Sequence, residues 1–242
     1  MTDANVGAAT AEAVVQLAAN FLLDPNTYAA GTEHGFNGMD FYFVGRAGAL
    51  GDVDADVVTS ALAFFNPDVV RAAWDRSAGV MPRREGAKVF AGVAASWADS
   101  RLGDDVDWAR LAELTALVVD DASPVMAPLF AAWRTLPVPA EPKQAAFHNL
   151  FAVRELRMAR HAAAVVANGL AVDDAVRHHS PGMAGIFGWN PTELDDDVAA
   201  RWDAAETMTN AVTTRDYAAL DSAQQAELVD LTSAALGSVK QR

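Results

Sequence analysis

The sequence predicts an all-α protein: a multi-helix bundle around one long central helix at about residues 142–169. Apolar residues recur at helical spacing through most of the chain, and capping residues open one segment after another. No set of alternating apolar and polar runs points to a sheet. Residues 11–23 have the first helical spacing, with Pro25 just beyond, where helices commonly stop. Residues 31–38 are glycine-rich and irregular, and the aromatic run 39–44 reads either as a short strand or as the last turns of a helix. Asp52 or Asp54 can cap a helix through Phe65. Asn66 followed by Pro67 fits an N-cap with proline at the first helical position, opening a helix to about Arg76.

Further helices are expected at 83–101, at 106–121 behind Asp104 or Asp105, and at 124–135 behind Ser123 and Pro124. The proline-rich stretch 136–142 is an extended connection that delivers the chain into the long helix, which Asn168 and Gly169 can end in a left-handed cap. A short helix follows at 171–179. After a loop, Asn190 and Pro191 are expected to open a helix to about Val212, and Asp221 and Ser222 a last one to about Leu236.

Composition narrows the function classes. The chain has 242 residues, 52% of them hydrophobic and 21% charged, which is ordinary for a globular protein with a substantial core. No apolar run reaches the ~18 residues of a membrane span, and the first residues lack the basic and apolar regions of a signal peptide. Cysteine is absent, which excludes disulfides, thiolate nucleophiles and cysteine-based zinc sites. The expectation is a cytoplasmic protein with no membrane partner, no metal and no cofactor. A net charge of −14 argues against nucleic acid as a partner, because phosphates demand a basic surface. Residues 171–242 sharpen this, with five Lys/Arg against twelve Asp/Glu.

The chemistry concentrates on the long helix. At about 100° per residue, Phe147, Leu150, Phe151, Met158 and Val165 fall within one apolar stripe, and Arg154 and His161 project into its middle. An unpaired buried charge costs several kcal/mol, so Arg154 needs a carboxylate from another helix or an anionic ligand. Arg154, Arg157 and His161 form one polar spine, while His148 and Glu155 share a neighbouring face. His148 and His161 lie too far apart around the helix to chelate one metal.

A second constellation is Gly45, Arg46, Gly48 and Gly51, where glycines let backbone amides approach a ligand and a guanidinium offers two-point binding of an anion. It is neither a P-loop nor a dinucleotide fingerprint, and the plainer alternative is a tight interhelix turn whose arginine caps a helix end. His34 beside Glu33, followed by Tyr42, could serve as a base in a loop. His178 and His179 suit the dipole at a helix end. No nucleophile elbow and no Ser-x-x-Lys motif is present. The resulting ligand-binding set is His34, Tyr42, Arg46, His148, Arg154, Glu155, Arg157 and His161, with no catalytic assignment. Arg46, Arg154 and His161 are expected to line one interior pocket, oriented by Glu155 and His148. The plainer alternative makes Arg154 and Glu155 interhelix salt-bridge residues and His161 a satisfied core histidine.

Two blocks carry a resemblance. Phe41 to Gly51 with Val57, Thr59 and the run Phe64 to Pro67, and then Phe147, His148, Arg154, Glu155, Arg157 and His161, are together similar to an actinobacterial helix-turn-helix family of largely uncharacterised all-α proteins. The likeness covers about residues 10–180. Where the family has an aspartate between the last arginine and the histidine, this chain has Ala159. The family's tail resembles a winged helix; here Gly188, Trp189 and the stretch 193–203 echo its start without its basic residues or wing.

The resemblance implies a helical ligand-binding body, taken as residues 1–180. Residues 181–242 then form a C-terminal helical segment, a degenerate helix-turn-helix packed on that body. Three readings follow. The first is a sensor-type protein binding a small anionic or polar organic ligand between helices, without DNA-binding activity. The second is a metal-independent enzyme using His34, His148 or His161 with Glu155 as acid and base. The third is a transcriptional regulator acting as a homodimer through residues 181–235. Charge opposes the third.

Overall fold

The computed structural model describes residues 5–240. Thirteen α-helices follow one another among them: α1 (Val6–Ala9), α2 (Ala11–Leu22), α3 (Pro25–Glu33), α4 (Asp40–Ala47), α5 (Ala55–Ala61), α6 (Pro67–Arg76), α7 (Arg83–Arg101), α8 (Trp108–Asp121), α9 (Pro128–Trp133), α10 (Pro142–Ala167), α11 (Val172–His179), α12 (Val198–Asp216) and α13 (Ser222–Gly237). Short 3-10 turns sit at Gly48–Leu50, Ser77–Gly79 and Pro181–Met183. Among the described residues the one extended pairing is an isolated antiparallel bridge between Leu102 and Val239. The fold is all-α, and no single described helix is long and apolar enough to cross a membrane.

α10 is the central helix. It packs on α2, α7, α8, α9 and α12, and it buries Phe147, Leu150, Phe151 and Val165 of the apolar stripe. Phe21 of α2 and Phe90 of α7 meet Phe151 edge-to-face, while Trp133 of α9 lies at 4.4 Å from the same ring. Such pairs add about 0.5–1.5 kcal/mol each beyond the area they bury. A smaller apolar cluster of Ala164, Val165, Leu170, Ala175, Val198 and Ala205 joins the end of α10 to α11 and α12. α12 packs mainly on α10 and α1, and α13 on α2 and α8.

Where local capping decides the backbone, sequence and structure agree. Asn66 caps α6 by accepting from the Asp68 amide, and Asp221 forms a full capping box with Gln224 at the start of α13. Gly169, at φ 67°, ends α10 in the left-handed conformation, with the Leu170 amide donating to the Val165 carbonyl.

Tertiary contacts and turn chemistry overturn other expectations. Pro25 opens α3 instead of marking a stop, because Asp24 caps that helix through the Asn26 amide. The aromatic run 39–44 is helical and lies within and just before α4. α5 ends at Ala61, four residues earlier than expected. Asp107, not Asp104 or Asp105, caps α8. α9 starts only at Pro128, since Met126 sits at φ 58° and breaks the segment.

Asn190 and Pro191 open no helix, and α12 begins at Val198. The reason is long-range. The Asn66 amide donates to the Phe187 carbonyl, Trp189 Nε1 donates to the Phe64 carbonyl, and Arg177 Nε donates to the Asn190 carbonyl. Those bonds pin the stretch against the α5–α6 turn and α11.

The glycine-rich run after α4 is a packing device. A Cβ on Gly48 would stand 2.3 Å from the Arg83 carbonyl oxygen, and one on Gly45 would stand 2.2 Å from the Phe90 ring. α4 and its 3-10 extension therefore lie directly on α7, which sets the depth at which Arg46 faces α10. Of the two expectations for these glycines, ligand approach and a tight structural turn, close helix contact of the second kind accounts for Gly45 and Gly48.

Candidate functional site

Arg46 of α4 and Glu155 of α10 meet in a two-point ion pair. Arg46 Nε donates to Glu155 Oε1 at 2.8 Å and Nη2 to Oε2 at 2.7 Å, and the third donor, Nη1, bonds the Tyr42 hydroxyl one turn earlier on α4. Both side chains are buried, that of Glu155 completely. Arg154, the next residue on α10, turns to the same carboxylate and donates from Nη1 to Oε1 at 3.0 Å. One carboxylate thus serves two guanidiniums. Burial alone would raise the Glu155 carboxyl, but the Arg46 and Arg154 charges and hydrogen bonds outweigh it and hold it below the usual carboxylate range. Burial would likewise lower Arg46, and the Glu155 charge reverses that.

Arg154 is left under-compensated. Burial and the Arg46 charge pull its guanidinium down from the ordinary arginine value, and its buried Nε has no hydrogen-bond partner among the described residues. The helical wheel placed Arg154 deepest in the stripe and Glu155 to the side. In the structure Glu155 is fully enclosed and the Arg154 side chain keeps 12% exposure. The carboxylate that Arg154 needs comes from its own neighbour, not from another helix.

His161 is not part of this cluster, which corrects the single pocket expected for Arg46, Arg154 and His161. It joins Arg157 two turns of α10 away, around Glu206 of α12. Arg157 Nη2 lies 3.3 Å from Glu206 Oε2, and the same guanidinium donates to Asn210, Thr213 and the Gly7 carbonyl. His161 Nδ1 lies 3.1 Å from both Glu206 Oε1 and Thr209 Oγ1. A carboxylate only accepts, and the Thr209 hydroxyl already donates to the Ala205 carbonyl, so Nδ1 carries the proton. Phe64 stacks on the His161 ring, Trp202 meets its edge, and His179 stacks on Trp202 at 4.6 Å. Burial lowers His161 to about 4, helped by Arg157 and His179, so it is neutral at pH 7.

His148 stands apart from both clusters. Its ring tilts against Trp133 at 5.4 Å, its buried Nε2 has no partner among the described residues, and burial lowers it to about 4. His34 is exposed at the C-terminal cap of α3, with no side-chain bond to either cluster among the described residues. Of the eight sequence-derived residues, four come together (Tyr42, Arg46, Arg154 and Glu155) and two more form a second cluster (Arg157 and His161).

Glu206, Asn210, Thr213 and Trp202 were missed. They lie about fifty residues further along, on a helix whose register relative to α10 only the fold supplies. Of the groups in the acid–base reading, His148 and His161 have values well below 7 and both oxygens of Glu155 are engaged, while His34 lies apart from Glu155 at the end of α3. Among the described residues, no group of three or more metal-binding side chains is present. Two clefts, of about 440 and 680 Å³, lie beside Asp24 and Arg101 and beside Gly51 and Arg83; Arg46, Arg154 and Glu155 line neither.

The profile of a helix-turn-helix family matches residues 8–199, most of the chain and both clusters' share of α10. The chain belongs to that helix-turn-helix family. The match takes in α2 to α11 whole and ends just inside α12, so Glu206 and α13 lie beyond it. No curated protein and no solved structure matches the chain.

Proposed function

We propose that the protein is a sensor-type member of its helix-turn-helix family that binds a small anion beside Arg154. The observation that carries this reading is the charge of the α4–α10 cluster: two guanidiniums share one carboxylate, and the Arg154 Nε has no partner among the described residues. A structural salt bridge needs only Arg46 and Glu155. A second buried guanidinium adds desolvation cost and repulsion, and an anion on its free edge offsets both.

The test is Arg154→Met, followed by urea denaturation and anion titration of the full chain. The Glu155–Arg46 pair survives this substitution, so stability is expected to stay level or rise, since an apolar residue of similar length replaces a poorly compensated charge. Anion-dependent stabilisation of the wild type, about 2.7 kcal/mol at a hundredfold excess over Kd, is expected to vanish. A loss of several kcal/mol in the variant, with no anion effect in either protein, would reduce Arg154 to a structural residue.

Family membership favours a second reading, a DNA-binding regulator. Most of the segment 181–235 expected to contact DNA lies outside the matched residues, whereas α5 and α6, which pack on each other across the turn 62–66, lie inside them. Electrostatics oppose it: the exposed side of α6 has Asp68 and Asp75 beside Arg71 and Arg76, with Arg71 bonded to Asp56 and Asp68 and Arg76 to Asp40. Binding to the DNA upstream of its own gene, measured by fluorescence anisotropy at roughly 150 mM salt, is expected to be weak and independent of sequence. Specific regulators reach about 10⁻⁸–10⁻¹¹ M there, and an affinity in that range would reinstate the regulator.

A further inference from the structure

The same α4–α10 cluster also bears on the kind of anion. Resting on the anion-binding reading, we infer that the ligand is an organic monocarboxylate whose carboxyl group lies side-on against the Nε and Nη2 donors of Arg154. Donor geometry is the first argument. A guanidinium presents Nε–H and one N–H of Nη2 in parallel along one edge, matched to the two oxygens of a carboxylate. Arg46 uses that edge on Glu155, at 2.8 and 2.7 Å. Arg154 spends only Nη1 on Glu155, which leaves Nε and Nη2 without hydrogen-bond partners among the described residues. The free edge of Arg154 is thus equivalent to the one already holding a carboxylate a few ångströms away. Nε is shut off from solvent, while the Arg154 side chain as a whole keeps 12% exposure.

Charge is the second argument. Arg46 and Arg154 contribute two positive charges and Glu155 one negative, a sum of +1 in a site where all three groups are largely buried. A monoanion brings the sum to zero. A dianion such as sulfate or a dicarboxylate leaves −1 in the same low-dielectric surroundings and pushes against Glu155. The Tyr42 hydroxyl accepts a hydrogen bond from Arg46 on the far side of that guanidinium. The ligand's remainder would lie toward solvent beside Arg154, outside the closed part of the cluster.

Acetate, propionate and benzoate would be compared with sulfate and succinate on the full chain at pH 7.5. Ionic strength is held constant with chloride, and binding is read as the shift in thermal midpoint and by calorimetric titration. The proposal expects the monocarboxylates to bind about tenfold or more tighter than the dianions, a difference of about 1.4 kcal/mol. It also expects Arg154→Met to abolish their effect, and Arg154→Lys, which keeps the charge and lacks the fork, to lose the preference. Arg154-dependent binding of sulfate or succinate in place of monocarboxylates would overturn the carboxylate assignment and leave the anion site standing. Unchanged monocarboxylate preference in Arg154→Lys would overturn the side-on fork. No response to any anion, or responses identical in wild type and Arg154→Met, would overturn the anion-binding reading itself.

Discussion

Glu155→Gln is expected to destabilise the protein by about 3–5 kcal/mol, the usual cost of removing one partner from a buried ion pair. The amide is nearly isosteric, so the packing around it is kept while its charge is lost. Arg46 and Arg154 are then left as two buried guanidiniums with no anion between them, and one glutamine oxygen cannot serve the donors that two carboxylate oxygens now satisfy. Urea denaturation of both proteins at pH 7 measures the difference. A double-mutant cycle with Arg46→Met isolates the coupling of the pair, because the two side chains meet directly. A change below about 1 kcal/mol would mean that α4 and α10 are held by their apolar contacts and that the cluster contributes little to the fold.

The sign of the pH dependence follows from the same geometry. The Glu155 carboxyl is held below its ordinary value, so the folded chain binds its proton less readily than the unfolded chain. Its stabilisation is fully present above the unfolded value near 4.5 and is lost as pH falls through the lower folded value. Glu155→Gln is therefore expected to flatten the lowest part of the stability curve.

The helices were legible because their determinants are local. An asparagine before a proline fixes the start of α6, and an aspartate three residues before a glutamine fixes the start of α13; both need only their own neighbours. The stretch 190–197 carried an equally good signal and folds otherwise, since its flanking groups bond the α5–α6 turn and Arg177. Arg46, Arg154 and Glu155 were legible as chemistry that an apolar helix face does not ordinarily contain. Their pairing was not, because 109 residues separate Arg46 from Glu155 and no periodicity spans a fold. A helical wheel also treats side chains as radial spokes. Arginine is long enough to bend from its spoke, which is how Arg154 reaches the carboxylate beside it while Glu155 takes the interior. His161 was placed with Arg154 by the same wheel, and two turns of rise carried it to a different partner helix.

Acid is expected to weaken the protein well above the range in which carboxylates titrate. His148 and His161 each have an ordinary value of 6.5 and are lowered to about 4, chiefly by burial. Between those values the unfolded chain binds protons at both positions and the folded chain does not, so stability rises with pH across the interval and falls on acidification. Taken to pH 4, the loss approaches about 3 kcal/mol for each histidine, a large share of the ~5–15 kcal/mol of an ordinary domain. The two contributions are separable because the rings have different surroundings. His148 rests on Trp133 with its Nε2 unpartnered, so His148→Phe keeps the ring contact, removes an unsatisfied polar atom, and is expected to be neutral or stabilising at pH 7. His161 bonds Glu206 and Thr209, so His161→Gln is expected to cost stability at pH 7 while removing its share of the pH slope. Urea denaturation at pH 7.0, 6.0 and 5.0 measures both effects. A slope in His148→Phe equal to that of the wild type would show that His148 titrates alike in the folded and unfolded chains, which requires water to reach its Nε2.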